Sequence, residues 1–336
     1  MNRKLLACAA LVVGLSGNAA YAQVRLNAAG ATFPYPIYSK WFSEFKTAKG
    51  VEINYQSIGS GGGITQLTNG TVDFGASDKP LSDAQAAKIS PKPLHFPTVL
   101  GAVVLTYNLP GDPELKFTGD VIANIFMGKI TKWNDQAIKA ANPGAKLPDA
   151  DIVVVHRSDG SGTTFVFADY LSKASPEWKS KIGADTSINW PVGIGGKGSE
   201  GVAGSVHQTP NSIGYVELIY ATQNKVGYGS VKNAAGKFVK ADLKSVTEAA
   251  AGAAKSMPDD FRVSITNAPG AGAYPISTFT WLLIPTEFKD AAKGKAVKDF
   301  LAWMLTKGQS YNESLGYAQL PKSVVTKEQK QIALIK

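Results

Sequence analysis

Apolar positions along the chain alternate between two spacings, and the alternation predicts strand, loop, helix, strand. Ile37, Tyr38, Trp41, Phe42 and Phe45 fall at helical spacing and form one apolar stripe. Val51, Ile53 and Tyr55 then alternate as a strand does. The glycine-rich loop Gly59-Ser60-Gly61-Gly62-Gly63 follows, and a short helix begins over Ile64 to Leu67. Val72 and Phe74 alternate again, and Ser77-Asp78-Lys79-Pro80 ends that strand. Ser82-Asp83-Ala84-Gln85 has the form of a capping box and predicts a further helix. The stretch Phe96 to Leu109 is bounded by Pro97 and Pro110 and reads as a buried strand, being too short to span a membrane.

Farther along, Asp151 to Val155 predicts a strand, His156 to Gly160 a loop, and Ser161 to Leu171 a helix. The region from about 185 to 215 is rich in Gly and polar residues and reads as long loops with short elements. Tyr274 to Pro285 predicts a late buried strand, and Val297, Phe300, Leu301 and Met304 a helix. Strands alternating with helices predict an α/β fold with a largely parallel sheet. In such sheets ligands gather at the carboxyl ends of strands, where each loop named above is expected to lie.

The chain's 336 residues exceed one ordinary domain and suit two. Apolar residues make up 44%, enough for a sizeable core. The first 22 residues have the form of an export leader. Arg3 and Lys4 supply the charged start, Leu5 to Leu15 the apolar run, and Ala20-Tyr21-Ala22 the small-x-small cleavage pattern, so the mature chain is expected to begin at Gln23. Cys8, the single cysteine, would leave with the leader, so no disulfide and no thiol chemistry is expected. The net charge of +9 is scattered, without a basic run or interleaved aromatic residues, which argues against nucleic acid. His95, His156 and His207 are far apart and lack carboxylates at ligand spacing, so no metal site is expected. Gly193-Ile194-Gly195-Gly196-Lys197-Gly198 fits G-x-G-x-x-G, but no clear strand leads into it, and it reads as a loop held by glycines.

Four loops carry candidate chemistry: Thr32-Phe33, Ser60-Gly61, Ser77-Asp78, and Arg157 through Ser158, Asp159, Gly160, Ser161 and Gly162 to Thr163. A tetrahedral oxyanion needs many donors around it. Helix N-termini supply unpaired N–H groups and a favourable dipole, and arginine supplies a planar fork. Each loop alone is more often a simple helix cap; together they suggest an anion site. Asp78 is the odd member. An ionised carboxylate only accepts hydrogen bonds, so an anion beside it must bring a proton, as hydrogen phosphate does and sulfate does not. Alternatively Asp78 merely turns the chain before Pro80. Asp159 either fixes the Arg157 guanidinium from behind or is a solvated turn residue.

These loops closely resemble those of the periplasmic phosphate-binding proteins of phosphate-specific ABC transporters. The matching stretches include Gly30-Ala31-Thr32-Phe33-Pro34, Ile58-Gly59-Ser60, Val72 through Asp78, Phe96-Pro97-Thr98-Val99, Arg157 with Asp159-Gly160-Ser161-Gly162-Thr163, Trp190-Pro191, Gly195-Gly196-Lys197-Gly198 and Ile213-Gly214-Tyr215-Val216-Glu217, in order over nearly all the mature chain. The resemblance implies a two-lobed Venus-flytrap fold, each lobe a mixed sheet flanked by helices, with residues 23–99 and 274–336 in one lobe and 100–273 in the other. It implies phosphate held by Thr32, Phe33 (through its backbone), Ser60, Asp78, Arg157, Ser161, Gly162 and Thr163, with Asp159 behind them. It further implies a periplasmic, monomeric binding protein without a cofactor that delivers phosphate to membrane permease subunits. Where the family commonly has Ser-Ser-Gly-Gly this chain has Ser60-Gly61-Gly62-Gly63, so the second hydroxyl is lost. Three other readings remain: a hydrolase with Ser161 as nucleophile, a receptor for molybdate or sulfate, and an adhesive role for the same fold. The first lacks a G-x-S-x-G elbow and a base beside Ser161, and Asp78 disfavours the second.

Overall fold

The structure is a computed structural model that describes residues 24–255 and 257–336; the expected leader and its cleavage site lie outside them. In chain order the first elements are β1 (Arg25–Gly30), α1 (Tyr35–Lys49), β2 (Glu52–Ser57), α2 (Ser60–Thr68), β3 (Phe74–Ser77), α3 (Asp83–Ala86) and β4 (Pro93–Tyr107). Next come β5 (Lys116–Phe117), α4 (Gly119–Phe126), α5 (Gln136–Ala141), β6 (Val153–Arg157), α6 (Gly162–Ala174), α7 (Pro176–Lys181), β7 (Ile194–Gly196), α8 (Gly198–Gln208), β8 (Ser212–Glu217) and α9 (Leu218–Gln223). The chain closes with β9 (Gly227–Tyr228), β10 (Ser230–Lys232), β11 (Phe238–Val239), α10 (Leu243–Lys255), β12 (Ser277–Pro285), α11 (Ala291–Met304) and α12 (Lys322–Gln331).

The apolar stripe of α1 is buried in full, with Phe42 and Phe45 packed on Phe300 of α11 at ring separations of 5.4 and 5.3 Å. Gly50, in a left-handed conformation, ends the helix by donating its N–H to the Lys46 carbonyl. Each such buried aromatic contributes roughly 1.5–3 kcal/mol, so the stripe fixes how β1 and β2 approach the helix. The capping box at Ser82 forms as expected.

The main sheet runs β2-β1-β3-β12-β4-β8-β6-β7, with β9 also on β4. It is mixed. β1 runs parallel to β2 and β3, and β6 runs parallel to β7 and β8, but β12 and β4 are antiparallel to each other and to their outer neighbours. The largely parallel sheet predicted from strand–helix alternation is therefore corrected: β4 and β12 are almost wholly buried strands, and without an exposed polar face their sequences do not reveal their direction. β4 pairs with β12 from Pro93 to Ala102 and with β8 from Val103 to Tyr107, so one continuous strand serves both halves of the sheet. Pairing slips by one residue between Thr280 and Trp281: Thr280 faces Val99 and Trp281 faces Pro97, leaving Thr98 as a bulge. Pro97 has no N–H to give the ladder, and bulges are where a central strand tolerates proline.

Three further expectations are corrected. The region 185–215, read as long loops, holds the eleven-residue helix α8 and the central strand β8. Gly198, Gly201 and Gly204 mask that helix, which is held instead by burial of Val202, Ala203 and Val206. No strand leads into the Gly193–Gly198 run, as expected, although the short strand β7 lies within it. The loop read over Gly59–Gly63 is already helical from Ser60. A Cβ at Gly63 would collide with the Cα of Gly30 and lie 2.6 Å from the Ala29 carbonyl oxygen, so glycine lets α2 pack directly on β1. Likewise β6 continues through His156 to Arg157.

Candidate anion-binding site

The four chemically rich segments all lie where strands end and helices begin. Thr32 and Phe33 lie between β1 and α1, Ser60 opens α2 after β2, Asp78 follows β3, and Arg157 is the last residue of β6. Ser161 caps α6, accepting from the Thr164 N–H at 3.0 Å, and Gly162 and Thr163 begin the helix. All are buried, Asp78 to 1% and Arg157 to 3% exposure.

Close approach brings the segments together. The Asp78 N–H donates to Ser60 Oγ at 3.2 Å. A Cβ at Gly162 would collide with Ser60 Oγ and lie 2.6 Å from Asp78 Oδ2, so only glycine lets the α6 N-terminus meet these two residues. The Gly61 N–H donates to the Gly160 carbonyl at 2.8 Å. That N–H thus joins α2 to the α6 loop.

Arg157 is held from behind. Its Nε donates to Asp159 Oδ1 at 2.7 Å and its Nη2 to Oδ2 at 2.5 Å, leaving Nη1 without an acceptor among the described residues. Asp159 is therefore the fixing partner, not a solvated turn residue. The Gly198 N–H also donates to Asp159 Oδ1, at 3.0 Å. Burial opposes ionisation of Asp159, but Arg157 and this N–H outweigh it and hold the carboxyl below its usual range.

Asp78 stands in the opposite situation. Burial pushes its carboxyl up to about 7, against the pull of the Thr280 hydroxyl, the Arg157 charge and the Ser60 hydroxyl. Near neutral pH it passes between acceptor-only and donor forms, a feature that the sequence did not suggest.

The same segments carry donors without acceptors. The N–H groups of Phe33, Gly162 and Thr163 meet no acceptor among the described residues. Thr163 Oγ1 is buried without a partner among them, a condition that costs about 1–3 kcal/mol unless something else accepts from it. The hydroxyls of Ser60 and Ser161 each accept one bond and retain a proton to donate.

Sequence reasoning missed several residues here. Ser199, at the start of α8, donates its N–H to Thr32 Oγ1 at 3.3 Å, and the two hydroxyls lie 2.8 Å apart. Tyr220 donates to the Thr32 carbonyl and Tyr317 to the Phe33 carbonyl, both at 2.6 Å. Thr280 donates to Asp78 Oδ1 at 2.5 Å. The last carried a signal: a hydroxyl inside a wholly buried apolar strand needs a partner. His156 stacks on Trp190 with ring centroids 5.0 Å apart, which gives it a packing role.

The profile of the PBP superfamily domain matches residues 17–307. A phosphate-binding protein PstS of Xylella fastidiosa (strain Temecula1) is 51% identical over 90% of this chain and 83% of its own. One from Pasteurella multocida is 46% identical over 91% of this chain and 89% of its own. Among solved structures, a high affinity periplasmic phosphate-binding protein bound with phosphate, PfluDING, is similar in fold, with a TM-score of 0.75 at 21% identity over 91% of this chain and 93% of that one. A phosphate-binding protein from Stenotrophomonas maltophilia has a TM-score of 0.70 at 19% identity, over 91% and 93% of the two chains. The chain belongs to the PBP superfamily and, within it, to the family of proteins named phosphate-binding protein PstS.

Proposed function

We propose that this chain is a binding protein, not an enzyme, which takes one inorganic phosphate ion into a cleft between two lobes and delivers it to the membrane permease subunits of an ABC-type importer. The lobes are residues 23–99 with 274–336, and 100–273; the change of partner along β4 between Ala102 and Val103 supports a division near there. Thr32, Phe33, Ser60, Arg157, Ser161, Gly162 and Thr163 donate to the ion, and Asp78 accepts from it. The leader is cleaved after Ala22, the mature chain works in the periplasm, and it does so as a monomer.

The carrying observation is the Asp78 carboxyl, buried with Oδ1 taken by Thr280 and Oδ2 facing the α6 N-terminus among unpaired donors. A hydrogen phosphate ion satisfies both kinds of partner, because it brings several acceptor oxygens and one O–H. Sulfate brings no O–H and leaves an ionised Asp78 unpaired, a penalty of about 1–3 kcal/mol or more. Closure of the lobes excludes water and strengthens each donor contact.

Titration calorimetry on protein stripped of ligand tests this with phosphate, arsenate and sulfate at pH 8. Phosphate and arsenate bind and sulfate binds far more weakly; equal uptake of sulfate and phosphate overturns the reading. A chromogenic phosphate ester incubated with the protein shows no turnover above blank. N-terminal sequencing of protein recovered from the periplasm begins at Gln23.

A further inference from the structure

We propose that Thr280 is the positioning residue that makes Asp78 selective, setting the preference for phosphate over sulfate without touching the ion; this rests on the phosphate reading above. The starting point is the bulge in β4. Because Thr98 has no ladder partner, its hydroxyl donates to the Thr280 carbonyl at 3.0 Å and lies 2.8 Å from the hydroxyl of Tyr38. Its own carbonyl accepts from Gln309 Nε2 at 3.0 Å. The backbone of residue 280 is thereby clamped from the side chain of its neighbouring strand. The Thr280 hydroxyl then points at Asp78 Oδ1, 2.5 Å away.

Two consequences follow. Oδ1 is occupied, and Oδ2 is turned toward the α6 N-terminus, the direction from which the ion's donors act. A hydroxyl donor also favours the ionised carboxylate, the form that accepts a proton-bearing ligand and repels one without. The other charged or titratable groups felt at Asp78 are Arg157 on β6, which also favours ionisation, Glu217 at the end of β8, and Tyr38, Tyr55 and Tyr317 on α1, β2 and the segment before α12. Burial pushes Glu217 and the three tyrosines up and so disfavours a negative charge on any of these four. Thr280 is therefore the hydroxyl that, beside Ser60 and the Arg157 charge, holds Asp78 in its accepting form.

The test compares wild type, Thr280→Val and Thr280→Ser by calorimetric titration of phosphate and sulfate from pH 5.5 to 8.5, with thermal unfolding as the check on folding. Thr280→Val keeps the shape and loses the donor. It lowers the phosphate-to-sulfate affinity ratio at pH 8 by about tenfold, the effect of one hydrogen bond to a charged group, and sulfate binding persists to higher pH. Thr280→Ser restores both. In an Asp78→Asn background Thr280→Val changes the ratio no further, because its route through Asp78 is gone. A wild-type ratio and pH profile in Thr280→Val overturn the inference, and so does a further loss of ratio in the double variant. Should Thr280→Val not fold, Thr280→Ala gives the same comparison. A wild-type protein that does not prefer phosphate at all refutes the functional reading instead, so the two failures are distinguishable.

Discussion

The two carboxylates of the site lie in neighbouring loops and are treated oppositely by the protein. Asp159 faces Arg157 and Gly198 and is held ionised below its usual range, whereas Asp78 faces hydroxyls and is pushed up to about 7. The first is part of a rigid mount for a cation. On the proposed reading the second is an ion gauge whose protonation decides what it tolerates. The difference then assigns affinity and selectivity to separate parts of the site: the part carrying Arg157 and α6 would supply donors and strength, and the part built on β3 and β12 discrimination.

The largest expected effect attacks the Arg157 side. Arg157→Ala removes the guanidinium and leaves Asp159 half-buried without its partner, a loss of about 3–5 kcal/mol when a buried pair is broken. Affinity for phosphate and sulfate falls together, by at least a hundredfold in calorimetric titration, while their ratio is nearly kept. Gly162→Ala comes next. Its methyl collides with Ser60 Oγ and forces the α6 N-terminus away from Asp78, at a cost of about 1–3 kcal/mol for overpacking. Both ions again bind more weakly, and here the ratio also narrows because Asp78 loses its register with the helix.

Asp78→Asn breaks the other side. The amide donates as well as accepts, so it tolerates sulfate; the phosphate-to-sulfate ratio falls by about tenfold or more while phosphate affinity changes less. The same variant tests the electrostatics. An acid whose folded-state value is raised gives stability that is present below its unfolded value and lost as pH rises through the folded one. Wild type stripped of ligand therefore loses this contribution between about pH 4 and 7, up to roughly 4 kcal/mol at 1.36 kcal/mol per unit, and Asp78→Asn does not. In thermal unfolding the variant is the more stable protein at pH 8, with the gap closing toward pH 5. The smallest effect is at the rim. Lys79, next to Asp78, pairs with Asp185 at 2.6 Å, and Asp185 is largely exposed. Lys79→Ala costs about 0.2–1 kcal/mol, read as slightly faster phosphate release and weakened further by salt.

The same contrast explains what the sequence disclosed. Donors at helix starts are legible because capping chemistry and glycine spacing are local; Thr32, Ser60, Ser161 and Gly162 lie in short stretches that announce a strand-to-helix turn. The pairing of Arg157 with Asp159 spans two residues, yet the sequence does not decide between a mount and a turn, since a carboxylate two residues after an arginine can equally well face solvent. Thr280 and Asp78 are 202 residues apart, and nothing local joins them. Helix α8 was hidden by its glycines, and with it Ser199 behind Thr32. The direction of β4 and β12 was hidden for a related reason: a strand buried on both faces loses the alternation that tells which way it is used.

The bidentate grip of Asp159 on Arg157 has a consequence for how a doubly charged guest is lodged. The guanidinium is formally cancelled by its own clamp, and an ionised Asp78 makes the chamber's fixed charge negative. Attraction must then come from aligned dipoles, the N–H and O–H bonds of helix starts and hydroxyls aimed inward. Dipoles buried at contact distance are little affected by the mobile ions of the surrounding solution. The same guest should be held almost as firmly in brine as in dilute buffer, with capture depending on shape and hydrogen count and not on the overall positive charge of the chain.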